Sequence, residues 1–355
     1  MEFGLTWAKL DEMEYVTEAE KLGFTHLWTT DSGLIRSDAF VFLTVAAQQT
    51  KTMKIGMGVA VPGLRLAPTL AAGMATLNMV APGRCFVALG TGNTGMRLLG
   101  RKPMGLKNFA AYARTVRNLL DGKDAEYEHN GEKHTIRFML TDKGYRNLRD
   151  PIPMYLAGYG PKAQALAGEI ADGLTTNVPR GGTLDQILVN VRQGAAKAGR
   201  SLGKFEKFHL SVRVNFAVLE PGEPVDSERI VNEFGPAITT SMHSTMDRHL
   251  EFGEDPPEFL RPIWKDYVAF HMARPAAERQ KMMHESHNVY VAPDERRFVT
   301  PEVIKRFCIV GQPVEVLEQV RELERQGVRQ LMCNFPLARG YQMVRDYAKN
   351  IIQKL

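Results

Sequence analysis

The chain has 355 residues, 44% hydrophobic and 24% charged, with 45 Lys and Arg against 40 Asp and Glu for a net charge of +5. This composition excludes the disordered, collagen-like and coiled-coil classes, and a mild charge with interleaved signs argues against nucleic acid as the main partner. No apolar run approaches the roughly 18 residues of a membrane span and no signal-peptide pattern opens the sequence, so a cytoplasmic protein with no membrane partner is expected.

At roughly 150 residues per domain the length suggests two domains, but one (β/α)8 barrel of about 250 residues carrying an insertion fits as well. The pattern along the chain decides between them. Residues 2–6 predict a strand and 11–22 a helix stopped by Gly23. A second strand over 24–30 leads to a helix capped by Asp38, and a third over 53–61 to a helix with Pro68 in its first turn that runs to residue 80. A fourth strand, 85–89, enters a glycine-rich loop whose helix is expected only from residue 106 or 107 to Gly122. Alternation over 126–138 around His129-Asn130-Gly131 predicts a hairpin decorating a loop. Strands at 152–157, 174–177 and 208–219, with helices at 162–171 and 185–198, continue the series.

Between residues 220 and about 300, Pro221, Pro224, Pro236, Pro256, Pro257, Pro262, Pro275 and Pro293 fall among helical fragments and mark a large insertion. A helix over 314–326, a strand over 329–335 and a helix over 341–352 complete the chain. Eight buried strands alternating with helices predict an α/β fold, a (β/α)8 TIM barrel with a large insertion before strand eight. The expected organisation is a single domain over 1–355, with 220–300 as a lid over the mouth. Cys85, Cys308 and Cys333 are widely spaced in apolar runs and read as reduced core residues.

Gly90-Thr91-Gly92-Asn93-Thr94-Gly95 follows a strand and matches the dinucleotide pattern G-x-G-x-x-G. A dinucleotide site needs a helix that starts at once, and Gly100, Pro103 and Gly105 interrupt the residues that follow. In a barrel the same loop lies at the C-terminal mouth of strand four, where glycines let a flat ring approach the backbone.

Residues 53–105 resemble the luciferase-like flavin or deazaflavin oxidoreductase family in Ile55-Gly56-Met57-Gly58-Val59, Arg65, Pro68, Ala75-Thr76-Leu77, Gly83-Arg84 and Gly90-Thr91-Gly92. The run Pro153-Met154-Tyr155-Leu156-Ala157-Gly158-Tyr159-Gly160-Pro161-Lys162, closed by Ala171-Asp172-Gly173, is similar to a second signature of that family, and Gly311-Gln312-Pro313 to a C-terminal one. The resemblance implies a barrel that holds a flavin-type ring at its C-terminal mouth, with a non-prolyl cis peptide at Gly58-Val59. It implies cofactor contacts from Gly58, Val59, Thr91, Ala157, Gly158, Tyr159, Gly160, Asn177 and Val178. The cofactor phosphate would lie on backbone N–H groups of Tyr159 and Gly160, where a helix N-terminus offers orphan donors and about half a positive charge.

Catalytic candidates follow from the same resemblance. Where the family commonly has an acid followed by histidine, this chain reads Asp31-Ser32, so Asp31 stands without the imidazole. Asn93 occupies the place of a glutamate in a deazaflavin-dependent sugar dehydrogenase branch and is expected to hydrogen-bond a ring carbonyl or a peroxide. Five histidines, His243, His249, His271, His284 and His287, fall in the insertion; the H-E-x-x-H zinc spacing is not met, no metal is expected, and His243 and His287 are candidates for proton transfer in the substrate pocket.

The main functional expectation is a two-component monooxygenase using reduced FMN (FMNH2), supplied by a separate NAD(P)H:flavin reductase, to oxygenate a small organic substrate with O2. The alternatives are an F420-dependent oxidoreductase that moves a hydride without oxygen, and a non-catalytic flavin-binding barrel. In this family the chemistry sits mostly in the cofactor. Barrels of the family usually pair through helices on one side, so a homodimer is expected.

Overall fold

Parallel strands rich in β-branched and aromatic residues, each followed by a helix with one apolar face, set the architecture seen in a computed structural model of the chain. The structure describes residues 1–177, 183–202, 207–336 and 339–355. It groups them into two compact units, 1–213 with 324–332, and 214–323 with 333–355.

In the first unit the strands are β1 (Glu2–Thr6), β2 (His26–Thr29), β3 (Lys54–Ala60), β4 (Cys85–Leu89), β7 (Met154–Ala157), β8 (Gly173–Asn177), the start of β9 (His209–Val218) and the start of β11 (Gln330–Asn334), with β5 (Ala125–His129) and β6 (Glu132–Ile136) forming the side hairpin. The parallel order β9-β11-β1-β2-β3-β4-β7-β8 returns on itself through the β8–β9 pairing, so the sheet is a closed eight-stranded (β/α)8 barrel, as the alternation predicts. The helices between are α1 (Met13–Lys21), α2 (Ala39–Gln49), α3 (Ala67–Val80), α4 (Asn93–Leu98), α5 (Leu106–Leu120), α6 (Pro161–Ile170) and α7 (Leu184–Lys197). The hairpin turn carries Asn130 and Gly131, both at positive φ, as a two-residue turn of that twist requires.

Inside the barrel Trp28, Phe86 and Tyr155 pack with Ala88 and Met332, and the Trp28 and Phe86 ring centroids are 4.6 Å apart. Glycines make the room for these rings. A Cβ at Gly4 would lie 2.7 Å from Trp28 Nε1, one at Gly56 2.1 Å from Phe86 O, and one at Gly173 2.8 Å from Tyr155. The Trp28 indole N–H donates to Gln330 Oε1 at 3.0 Å, and Tyr155 stacks on His209 at 4.8 Å. Burial and the neighbouring His209 push the His26 imidazole down to about 2, and burial likewise pushes His209 down to about 4, so both rings are neutral near pH 7.

The second unit contains the end of β9, where Asn215–Val218 pair in parallel with β10 (Cys308–Gly311), and helices α8 (Glu228–Phe252), α9 (Arg261–Met272), α10 (Arg279–His284), α11 (Pro301–Phe307), α12 (Pro313–Arg325) and α13 (Gly340–Asn350). Two local expectations are corrected here. The proline-rich stretch holds a continuous helix of 25 residues with Pro236 inside it, because Ile230, Val231, Phe234, Ala237, Ile238, Met242 and Met246 bury one face on both sides of the proline. Burial of that face outweighs the lost backbone bond. Strand β10 is an additional one, too short at four residues to stand out from the helix before it. Among the described residues no helix is long and apolar enough to cross a membrane.

Candidate active site

The C-terminal ends of β2, β3, β4, β7 and β8 are consecutive around the ring, so residues far apart in sequence share one mouth. The Gly58–Val59 peptide at the end of β3 is cis, as the resemblance implies. Gly58 allows the close approach of Trp28, since a Cβ there would sit 2.2 Å from the indole. The glycine loop after β4 packs directly on this peptide: the Gly90 N–H donates to Ala60 O at 3.1 Å, and a Cβ at Gly90 would lie 2.7 Å from the Val59 side chain.

The loop then departs from expectation. Thr91 O accepts from the Met104 N–H at 3.1 Å, Gly92 takes φ +85°, and α4 starts at once at Asn93. The left-handed glycine turns the chain so that a six-residue helix forms before Gly100, also at positive φ, ends it. The closed parallel barrel still excludes a doubly wound dinucleotide fold. Asn93 is tied into this helix, its Oδ1 accepting from Arg97 Nε at 3.0 Å.

Asp31 lies just beyond β2 and is only 5% exposed. Arg65 occupies both of its oxygens, with Nε at 3.1 and 3.0 Å and Nη2 at 3.0 Å from Oδ1, and the same Nη2 reaches Asp38 Oδ2 at 2.9 Å. Asp38 in turn caps α2, accepting from the Phe40 and Val41 N–H groups. One guanidinium thus fixes the loops after β2 and β3 to each other, and Asp31 is a partner of Arg65 at this mouth.

After β7, the Gly158 N–H donates to Thr175 O at 3.1 Å, and a Cβ on Gly158 would press on Ala163 of α6 at 3.1 Å. Tyr159 is set by Gln164, whose Nε2 donates to Tyr159 O at 3.0 Å while its Oε1 accepts from Asn190 Nδ2 at 2.7 Å. Gly160 is the N-cap of α6 with φ −93° and ψ 157°, offers no side-chain cap of its own, and a Cβ built there has no atom of the described residues within 4 Å. The start of α6 is therefore an open, electropositive end with room for an anion.

Asn177 ends β8 and pairs in register with Arg213 of β9. Arg213 is a residue near this mouth that the sequence reading missed: it pairs in register with Asn177, and burial lowers its pKa while the Tyr159 phenol opposes that effect. A single arginine within the apolar run His209–Val218 was the available signal. Val178 lies outside the described residues.

His243 and His287 belong to the second unit. His243, on α8, is fully buried and its Nε2 lies 2.7 Å from Glu295 Oε2, while Arg274 Nη2 donates to Glu295 Oε1 at 3.0 Å. His287 is half-buried, with its Nδ1 3.3 Å from that of His284.

With this geometry in place, the sequence profile of the luciferase-like monooxygenase family matches residues 9–330, and the chain belongs to that family. A 5,10-methylenetetrahydromethanopterin reductase of Archaeoglobus fulgidus is 28% identical over all of both chains. An F420-dependent glucose-6-phosphate dehydrogenase of Beutenbergia cavernae is 30% identical over 73% of this chain and 84% of its own. The solved structure of coenzyme F420-dependent tetrahydromethanopterin reductase from Methanopyrus kandleri superposes with a TM-score of 0.70 at 20% identity, covering 99% of each chain, which shows the shared fold.

These relatives correct the main functional expectation. They are a reductase and an F420-dependent dehydrogenase, not oxygenases, so the reduced-FMN monooxygenase reading does not stand. The error has a physical origin: a flavin and a deazaflavin share a flat tricyclic ring and a phosphate, so motifs expected to meet those parts do not distinguish them.

Proposed function

We propose that the protein is a coenzyme F420-dependent oxidoreductase that moves a hydride between the deazaflavin and a small-molecule substrate. The observation that carries this reading is the F420-dependent dehydrogenase related over most of its own length, joined by a reductase related over the whole chain. A separate flavin reductase, expected only as the source of FMNH2, has no place in this chemistry.

The residues present suit such a cofactor. Gly58 and Gly90 let Trp28 and Val59 pack closely at the ends of β3 and β4, and this brings the Gly58–Val59 peptide and Thr91 to the mouth where a tricyclic ring would lie. The open start of α6 at Gly160, flanked by Tyr159 and near Arg213, suits a phosphate. Ala157 and Asn177 border the same mouth at the ends of β7 and β8. When bound, the cofactor supplies a two-electron hydride carrier that does not activate oxygen. The chain's part is to hold and orient. Asp31 acts through Arg65 as a positioning residue for the β2 and β3 loops, and Asn93 steadies the first turn of α4 through Arg97.

The test is an anaerobic assay of reduced F420 against a panel of small carbonyl and imine acceptors, followed by the return of the oxidised cofactor's visible absorbance. Acceptor-dependent oxidation with no oxygen uptake in air supports the reading. Oxygen uptake driven by FMNH2, with F420 inert, would overturn it.

A further inference from the structure

At the opposite, N-terminal end of the barrel strands, Glu2, His26 and His209 bring ligand atoms within 4.8 Å of one another. Hydrogen-bond partners occupy one end of each ring. Thr25 Oγ1 lies 3.1 Å from Phe3 O and 2.9 Å from His26 Nδ1. His26 Nε2, at the other end of the ring, is fully buried and has no hydrogen-bond partner among the described residues.

Gln330 Oε1, which accepts from the Trp28 indole, lies 3.5 Å from His209 Nε2. His209 Nδ1 faces Glu2 Oε2 at 3.8 Å. Two imidazole nitrogens, one of them buried without a partner, and a carboxylate oxygen therefore converge. Such a set is satisfied by a cation.

We propose that Glu2, His26 and His209 form a binding site for a divalent transition-metal ion of the zinc class at the N-terminal end of the barrel. Zinc–ligand bonds of about 2.0–2.2 Å in a tetrahedron set ligand atoms about 3.4 Å apart, so the Glu2–His209 pair at 3.8 Å and the other separations, all within 4.8 Å, would have to close by side-chain adjustment on binding. Each histidine already has the outer partner that fixes a ligating ring, Thr25 for His26 and Gln330 for His209. Glu2 is 41% exposed and gives the ion a way in. Lys54 and Arg329, whose charges reach these rings, are both exposed and screened by solvent. The site lies at the end of the barrel associated with stability, away from the proposed cofactor mouth, and stands whether or not the F420 reading holds.

The second unit offers a contrast. His243, His271 and Glu295 also converge, but there Glu295 already accepts from His243 and from the cation Arg274, and Arg274 faces His271 Nδ1 at 3.2 Å. That cluster already holds a counter-charge in Arg274.

The experiment uses untagged full-length protein stripped with chelator, then titrated with Zn2+ against a chromophoric competitor and, separately, with Co2+ followed by its visible ligand-field bands. The expected result is one Zn2+ per chain bound more tightly than about 10 µM, a tetrahedral Co2+ spectrum and a raised melting temperature. Glu2→Gln, at a half-exposed position that does not threaten folding, and His26→Gln should each weaken binding by at least about 100-fold, beyond the 10- to 100-fold effect of losing an outer partner. Replacing the exposed hairpin residues His129 and His134 by Gln should leave binding unchanged. Absence of stoichiometric binding, or equal binding by parent and Glu2→Gln, would overturn the proposal.

Discussion

Gly160 is the position where charge and fold stability can be made to move in opposite directions. It is the N-cap of α6, its φ of −93° is open to any residue, and a Cβ added there has no atom of the described residues within 4 Å. Replacing it with Asp supplies a capping carboxylate and should leave the fold unchanged or a few tenths of a kcal/mol more stable. The same carboxylate would face the cofactor phosphate at the helix start. Two unit charges about 5 Å apart repel by about 1 kcal/mol in bulk water and about 3 kcal/mol at the effective dielectric of a protein surface. F420 affinity should therefore fall about 5- to 150-fold. Gly160→Asn is the control, since it caps equally well and fills the same volume without charge; it should lose no more than about threefold. The assay is quenching of F420 fluorescence on titration, alongside thermal unfolding of each variant. An Asp variant that binds like the parent, or an Asn variant that loses as much as Asp, would refute the phosphate assignment.

Three further outcomes follow from the packing. Arg65→Met leaves Asp31 buried without its guanidinium and should cost about 2–4 kcal/mol in urea unfolding, whereas adding Asp31→Asn should recover more than half of that loss; a non-recovering double variant would show that the pair is not the cause. Gly194→Ala places a Cβ 1.7 Å from Ala165 O between α7 and α6, so it should destabilise by about 1–3 kcal/mol and, by shifting α6, weaken F420 binding; an unchanged melting temperature would contradict the close crossing. His271, pushed down to about 3 chiefly by burial, is neutral in the fold at pH values where the unfolded chain is protonated. Its contribution is complete above about pH 6.5 and declines as the pH falls towards 3, by at most about 1.4 kcal/mol per pH unit. Comparing parent and His271→Gln at about pH 7.5 and pH 5 should show a smaller acid loss in the variant, and equal losses would contradict the assignment.

The barrel was legible because its strands are short, apolar and regularly interrupted: residues 2–6 and 85–89 match β1 and β4 to the residue. What escaped notice depends on tertiary context. Burial carries α8 straight through Pro236, and Gly92 at positive φ starts α4 where the spacing of Gly100 and Pro103 suggested a loop. At the mouth, the glycines at 58 and 90 could be found by motif because their lack of a Cβ is what lets Trp28 and Val59 approach. Arg65 binding Asp31, and Arg213 beside Tyr159, could not, since those pairs join different strands. The choice between FMN and F420 was unreadable for a related reason: the motifs that carry the resemblance are those expected to meet what the two cofactors have in common.

The most direct measurement is a competition titration of the purified protein with F420 and FMN. The account predicts F420 bound at least about 100-fold more tightly, a difference of about 2.7 kcal/mol. Preferential binding of FMN, accompanied by oxygen consumption when FMNH2 is supplied, would contradict it.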